Sequence, residues 1–260
     1  MMSFELLAVF YFSGLGAAAV AAAVSWRRRA AVMALCAAIA VAIAAITQAG
    51  SEALRLMAPH VYLVVGYWIP ALLTRPSLTS ATRFEQWLAG SDRRCRRLLP
   101  RVPAPFVHLT ELAYLLCYPL VPASFIVVYL LGSAGDLDRF WVAVLAAGFA
   151  CYVTLPWLLS RPPRLLAGAA ESRDVGAVNV FVLGRVSHQL NTFPSGHVAV
   201  SLAAAGAVWA VSPVAGLTVA LIAAAVAVGA AAGRYHYVAD VLLGAVVGAA
   251  ALAVSWARAA

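Results

Sequence analysis

Two histidines in the last third of the chain, His197 and His236, have the neighbours that chemistry would need. His236 and Asp240 are four residues apart, so on a helix they lie on one face, one turn apart. A carboxylate there can accept the proton of one imidazole nitrogen, which leaves the other nitrogen free to attack or to take up a proton. A pair that only satisfies itself at a helix end would show the same spacing. An ionisable pair in a strongly apolar chain favours the functional interpretation, because such pairs are costly near a membrane.

The segment just before His197 has the pattern of a helix start that could bind an anion. Pro194 precedes Ser195 and Gly196, and a long apolar run follows. Backbone N–H groups at a helix start, a glycine that permits close approach and a serine hydroxyl can together hold a phosphate. His197 could then donate a proton to a leaving oxygen. Taken alone, the serine could also be a simple N-cap.

Several arginines are further candidates for phosphate binding. Arg161 and Arg164 flank two prolines that stiffen their loop, and guanidinium groups bind phosphate oxygens in a bidentate manner. Arg185, His188 and Arg234 are weaker candidates of the same kind. Without the two histidines, these arginines would be read only as signals that orient the chain in a membrane.

The composition places these residues in a membrane protein. Hydrophobic residues make up 64% of the chain and charged residues 11%, with a mean hydropathy of +0.92, whereas soluble domains have roughly 25% charged residues. All 18 basic residues are arginine, and the formal net charge is +8. The lack of lysine excludes a Schiff-base lysine and the lysine of a nucleotide-binding loop. The arginines lie in a few loops between apolar segments, which favours membrane orientation over nucleic-acid binding.

Apolar runs predict an all-α, polytopic membrane bundle of about eight transmembrane helices. Residues 198–232 have no charge and are too long for one crossing, so Ser212-Pro213 predicts a hairpin. Gly244 and Gly248, four residues apart, predict close helix packing. The predicted spans are 4–26, 30–48, 53–73, 106–132, 139–160, 197–212, 214–232 and 236–257.

The predicted spans divide the chain in two and set its orientation. We expect accessory helices and an arginine-rich loop at 1–105, and a catalytic core at 106–260. The loop at 75–105 contains seven arginines against Glu85 and Asp92. The positive-inside rule therefore predicts that this loop, and the candidate site on the same side, face the cytoplasm, and we expect a bacterial inner membrane. The four cysteines have no metal or redox spacing and are interpreted as small buried residues, and no cofactor is expected.

The motifs together resemble those of a known family. Pro194-Ser195-Gly196-His197, followed by His236 and Asp240 and preceded by an Arg-Pro element, is similar to the type 2 phosphatidic acid phosphatase superfamily. That superfamily includes integral-membrane lipid phosphatases, the inositol phosphorylceramide synthase branch and soluble vanadium haloperoxidases. The motifs cover residues 160–240, and the resemblance extends over 106–257. It implies a phosphatase-like helical core that needs no metal.

The resemblance also implies a role for each matching residue, and these roles concern one phosphoryl transfer. His236 resembles the nucleophile, and Asp240 resembles the residue that orients it. His197 resembles the general acid, and Ser195 and the Gly196 amide resemble the phosphate cradle. Arg161 or Arg164 would be the first-motif arginine.

The chain departs from the family pattern at two positions. The first motif usually has a lysine seven residues before its arginine, where this chain has Thr154, and the third motif usually has an arginine where this chain has Ala230. Arg234 could substitute for the missing arginine. These departures, the Arg-Pro-Pro-Arg loop and the tyrosine-rich stretch look more similar to the inositol phosphorylceramide synthase branch than to the ordinary phosphatases. Tyr114 and Tyr118 are weaker candidates for the site.

The expected function is that of a lipid phosphatase that works through a phosphohistidine. A lipid phosphotransferase that passes the group to an alcohol is an alternative, and a non-catalytic transporter or lipid-binding scaffold is a second one. The expected partners are a lipid phosphate and the bilayer, with no nucleic acid. The oligomeric state is left open.

Overall fold

The computed structural model describes residues 1–74, 82–98, 104–166, 177–188 and 190–257, and this part of the chain is helical without a strand. Parts of the predicted arginine-rich loops, at 75–81, 99–103 and 167–176, lie outside the described residues. The helices are α1 (Ser3–Ala19), α2 (Trp26–Gln48), α3 (Glu52–Leu72), α4 (Arg83–Leu98), α5 (Ala104–Leu115), α6 (Cys117–Leu131), α7 (Ala134–Tyr152), α8 (Pro163–Leu166), α9 (Ala177–Val186), α10 (Gly196–Val211), α11 (Pro213–Ala232) and α12 (Val238–Ala257).

The all-α prediction is confirmed, and the hairpin at Ser212-Pro213 forms. Ser212 ends α10 and caps α11, because its hydroxyl accepts the N–H of Ala215 and the proline occupies the first position of the new helix. The predicted span 106–132 is divided between α5 and α6 at Leu116.

The first predicted span, 4–26, is longer than the helix that forms. α1 ends at Ala19, and the guanidinium of Arg29, on α2, donates to the carbonyl oxygens of Val20 and Val24. A basic side chain that binds carbonyls just after a helix end stabilises that end. The basic cluster therefore terminates α1 instead of following a longer helix.

Within the described residues, three helices, α2, α11 and α12, are long and apolar enough to cross a bilayer by length and composition. The helices α1, α6 and α10 are apolar but shorter. α7 has Asp136, Asp138 and Arg139 in its first two turns, which lowers its hydropathy. These features are compatible with a membrane protein, and the eight crossings stay a prediction.

α7 lies at the centre of the bundle. Most of its side chains are buried, and α1, α3, α10 and α12 pack against it. Helices from the predicted accessory region and from the predicted core thus share one hydrophobic core. The proposed division near residue 105 stays a prediction.

The sequence did not predict α4 as a separate element. Its inner face carries Glu85, Leu88 and Asp92, which are buried, and its outer face carries exposed arginines that include Arg94 and Arg97. Buried positions at spacings of three and four residues are typical of an amphipathic helix. In α4, however, the buried face contains both acids.

Gly244 and Gly248 bring α12 into backbone contact with α10. A Cβ added at Gly244 would lie 2.6 Å from the carbonyl oxygen of Ser195, and one at Gly248 would lie 2.5 Å from that of Ala199. Only glycine permits so close an approach. The close packing predicted from this pair is confirmed, and it holds the start of α10 beside α12.

We expect Gly244→Leu to destabilise the protein, because the added side chain must push α12 away from the backbone of Ser195. Overpacking of this kind costs about 1–3 kcal/mol. Thermal unfolding of the purified protein in detergent measures the effect. Ala250→Leu places a leucine at an exposed position of α12 and serves as the control. Equal unfolding temperatures for both variants would contradict the packing argument.

Candidate active site

Four segments meet at one end of the bundle. The backbone N–H of Asn191 donates to the carbonyl of Ser160 at 2.7 Å, which joins the loop after α7 to the loop before α10. The N–H of Val238, at the start of α12, donates to Asp92 on α4 at 3.0 Å. These contacts place the loop at 160–164, the stretch before α10, the turn between α11 and α12, and α4 around one small region.

His236 and Asp240 form the pair that their spacing predicted. The Nδ1 of His236 lies 3.3 Å from Oδ2 of Asp240, and both side chains are buried. α12 begins only at Val238, so His236 lies in the preceding turn, where its backbone N–H donates to the carbonyl of Ala230. Because a carboxylate accepts only, this contact assigns the proton to Nδ1 and the lone pair to Nε2.

Asn191 completes the support of Asp240. Its side-chain amide donates to Oδ2 of Asp240 and, at 3.3 Å, to the hydroxyl of Ser160. The backbone N–H of Tyr237 donates to the same carboxylate oxygen at 3.1 Å. Sequence reasoning gave Asn191 no role, although its place at the start of the polar stretch before His197 was a signal. Asn191 thus fixes the carboxylate that orients His236.

Ser195 and Gly196 form the predicted helix start. The hydroxyl of Ser195 caps α10 by accepting the N–H of Val198 at 3.5 Å. The backbone N–H of Ser195 donates to the backbone carbonyl of Asp240 at 3.1 Å. The N–H of Gly196 donates to the hydroxyl of Thr192 at 3.2 Å. Both residues thus hold internal contacts in this structure, and their role as a phosphate cradle stays a prediction.

His197 lies next to His236. The centroids of the two imidazole rings are 5.7 Å apart. Tyr114 and Tyr118 border the ring of His197, and the hydroxyl of Tyr114 lies 3.5 Å from its Nδ1. The structure therefore brings together the two histidines and both weaker tyrosine candidates.

Arg164 lines the narrow cleft that also contains His197 and His236. Its guanidinium carbon lies 4.5 Å from the ring centroid of Tyr235, and its backbone N–H donates to the carbonyl of Arg234. The ring of Tyr235 stacks on that of Tyr114 with centroids 4.3 Å apart, and the side-chain amide of Asn179 donates to the hydroxyl of Tyr235. Stacking on an aromatic ring orients a guanidinium group. Tyr235 therefore holds the positive charge of Arg164 in place.

Arg161 has a different environment. Its backbone N–H and its guanidinium donate to the carboxylate of Glu85, at 2.8 and 2.9 Å. Burial would raise the pKa of the Glu85 carboxyl, but hydrogen bonds from Arg161 and from the Thr82 backbone hold this pKa below its ordinary value. Glu85 is therefore charged at neutral pH. Among the described residues that line the cleft between the histidines, neither Arg161 nor Arg234 is present.

The remaining candidates lie to one side of the cleft. Arg185 stacks on Phe181 and lines a larger cavity next to His197. His188 stacks on Tyr67 with ring centroids 4.1 Å apart, and burial lowers the pKa of His188 to about 4. A neutral His188 at physiological pH adds no charge for binding a phosphate.

The two positions that depart from the family pattern support the backbone. The hydroxyl of Thr154 donates to the carbonyl of Phe193, at 2.6 Å, in the stretch before α10. The carbonyl of Ala230 accepts the N–H groups of Tyr235 and His236, at 3.0 and 2.9 Å. Neither side chain is a cation. The hydroxyl of Thr154 holds the stretch before His197, and the backbone carbonyl of Ala230 holds the turn that carries His236.

Two cavities meet at His197. A narrow cleft of about 20 Å³ lies between the histidines and includes Arg164 and Asn191 among its lining residues. A cavity of about 490 Å³ lies on the other side of His197. The cavity and the cleft share three lining residues, Tyr67, Thr192 and His197. The large cavity is mostly apolar, with the size of a typical ligand pocket.

The large cavity opens at the side of the bundle. Its lining residues Val64 and Trp68, on α3, and Pro122, on α6, are exposed on the outer surface of the helices. In a bilayer, this side of the bundle would face the lipid chains. Within the described part of the chain, no group of three or more His, Cys, Asp or Glu side chains could hold a metal ion.

A family model described as PAP2 superfamily matches residues 80–254 of this chain. The matched stretch begins just before α4 and ends inside α12, so it contains every segment of the candidate site. No curated protein and no solved structure gives a significant match.

Proposed function

The chain belongs to the PAP2 superfamily, and we propose that it is an integral-membrane phosphatase that hydrolyses a lipid phosphate through a phosphohistidine. Family membership supports a phosphatase-like activity on a phosphate ester. One observation carries the proposal further: the His236–Asp240 pair lies across a narrow cleft from His197, and His197 also lines a laterally open apolar cavity. A phosphate in the cleft and an apolar alcohol in the cavity would place the scissile bond beside His197.

In the first step, Nε2 of His236 attacks phosphorus while Asp240 accepts a hydrogen bond from Nδ1. A nitrogen–phosphorus bond forms as the phosphorus–oxygen bond to the lipid alcohol breaks. His197, which must carry a proton for this step, donates it to the departing oxygen. Arg164, which lines the cleft, would stabilise the equatorial oxygens.

In the second step, water attacks the phosphohistidine. His197, now neutral, takes a proton from that water, and the nitrogen–phosphorus bond breaks to release inorganic phosphate. Both histidines return to their starting states. An alcohol that replaces the water would give a phosphotransferase with the same site, and the departures at Thr154 and Ala230 from the phosphatase pattern favour testing for it.

The end of the bundle that carries this site is also rich in exposed arginines, including Arg94 and Arg97 on α4. This charge supports a cytoplasmic orientation of the site in a bacterial inner membrane. Cys95, which is partly exposed on α4, offers a test with a membrane-impermeant thiol reagent. Labelling in intact cells would contradict this orientation.

We expect Val64→Trp to raise KM for a long-chain lipid phosphate by about three- to tenfold, because the ring would obstruct the mouth of the large cavity. KM for a short-chain, water-soluble phosphate ester should stay unchanged. Val61→Trp is the matched control, since Val61 is equally exposed on the same helix, at 59% against 57%, and does not line the cavity. The same KM for both variants would contradict lateral entry of the lipid.

The experiment that tests the function is phosphate release by the purified protein from a panel of lipid phosphates, with and without alcohol acceptors. A phosphatase releases phosphate in water alone, and a transferase forms a new ester only with the acceptor. Orthovanadate, which resembles the transition state of phosphoryl transfer, should compete with the substrate. No turnover of any member of the panel, with or without acceptor, would support a non-catalytic scaffold and contradict the proposal.

A further inference from the structure

The inward direction of the two acids of α4 is unusual for a helix at the end of a membrane bundle. Glu85 and Asp92 are 3% and 5% exposed, while Arg83, Arg94 and Arg97 on the same helix are exposed. Buried carboxylates are costly unless they are paired and hydrogen-bonded. Their contacts therefore indicate what α4 holds in place.

Glu85 binds the loop that carries Arg164. Its Oε1 accepts both the backbone N–H and Nε of Arg161, and its Oε2 lies 3.2 Å from Nη2 of the same arginine. Glu85 also accepts the N–H of Thr82, whose hydroxyl accepts the N–H of Glu85. This reciprocal capping box fixes Glu85 at the start of α4. The loop is thus attached to a rigid helix end.

Asp92 holds both sides of the turn that carries His236, one directly and the other through Arg96. Its Oδ1 accepts the N–H of Val238, the first residue of α12, at 3.0 Å. Its Oδ2 accepts Nε of Arg96 at 2.6 Å, and Arg96 in turn donates to the carbonyl of Ala231, near the end of α11, at 2.7 Å. A carboxylate at a helix start satisfies an N–H group that the helix itself leaves open and interacts favourably with the helix dipole.

The contacts close into a ring. The hydroxyl of Tyr237 donates to the carbonyl of Arg161 at 3.1 Å, so the two loops that α4 binds also bind each other. Glu85 and Asp92 are seven residues apart, two turns on the same face of α4. The length of α4 between them therefore sets the separation of the two loops.

We propose that α4 is a clamp that positions the nucleophile relative to the phosphate-binding loop, with Glu85 and Asp92 as its positioning residues. The proposal rests on the phosphatase function proposed above and assigns to it a part of the chain outside the three sequence motifs. Neither acid lines the cleft, so both act through other residues. A displacement of about 1 Å at a reacting group can lower the rate a hundredfold, so loss of the clamp should lower kcat.

The test compares Asp92→Leu with Asp92→Asn, and Glu85→Leu with Glu85→Gln, in the full-length protein. The amide variants keep an acceptor for the N–H of Val238 or of Arg161, and the leucine variants keep only the bulk. We expect kcat to fall about tenfold to a hundredfold in the leucine variants, with KM changed less than about threefold, and to recover in large part in the amide variants. Arg94→Gln, on the exposed face of α4, should retain the wild-type kcat.

Hydrogen–deuterium exchange gives a readout that does not depend on turnover. Peptides that cover residues 231–240 should exchange faster in Asp92→Leu than in the wild type or in Arg94→Gln, because the turn loses its contact at Val238 and Arg96, which contacts Ala231, loses its ion pair. Unchanged exchange and unchanged kcat in the leucine variants would overturn the clamp. A wild-type protein that turns over no phosphate would remove the proposed function, while the exchange data would still decide whether α4 holds the turn.

Discussion

We expect His236→Ala to lose turnover of every phosphate ester, by about a thousandfold or more. The loss should not depend on the leaving group, because without Nε2 the nitrogen–phosphorus bond cannot form. Rapid acid-free quenching of the wild type with radiolabelled substrate should trap a labelled, acid-labile phosphoenzyme, and the variant should give none. Asp240→Asn should form the same intermediate more slowly, since its side chain no longer stabilises positive charge on the imidazole.

Two controls separate chemistry from folding in this variant. Thermal unfolding and the elution volume of His236→Ala should match those of the wild type closely enough to show that the bundle is intact. Added imidazole should restore part of the turnover, because a free imidazole can occupy the space of the missing ring and attack phosphorus. Persistent phosphoenzyme in His236→Ala would move the nucleophile to another residue and would sink this assignment.

His197→Ala should show a loss that depends strongly on the leaving group. With a lipid alcohol, the departing oxygen needs a proton, so we expect kcat to fall by about 10²- to 10⁴-fold. With a nitrophenyl phosphate, the departing anion is stable without a proton, and formation of the phosphoenzyme should be little affected. Steady-state turnover and single-turnover bursts for both kinds of ester measure the two steps separately.

The same variant also tests the second step. His197 accepts the proton of the attacking water in the proposed cycle, so the phosphoenzyme should accumulate when a nitrophenyl ester supplies it. Rate losses that are equal for both leaving groups would contradict a general acid at His197. They would instead indicate that the ring of His197 only shapes the wall between the cleft and the large cavity.

The helices and the main chemical pair were predictable from the sequence because they depend on local patterns. Apolar runs broken by arginine clusters or by Ser212-Pro213 gave the positions of most helices, and a spacing of four residues gave the His236–Asp240 contact. At the end of α1, where one predicted boundary was wrong, Arg29 binds the carbonyls of Val20 and Val24 just after the helix. Boundaries depend on such individual hydrogen bonds more than on composition.

The sequence by itself determined a helical, strongly apolar chain with two histidines and an aspartate in a pattern that resembles the motifs of the PAP2 superfamily. Only the tertiary structure decided which neighbours support them. Asn191 contacts Asp240 across 49 residues, and Asp92 contacts Val238 across 146. No periodicity links positions so far apart, because their contact depends on how the helices pack. The helix packing also decided the partners of the two arginines. Arg161 pairs with the buried Glu85, and Arg164 stacks on the ring of Tyr235.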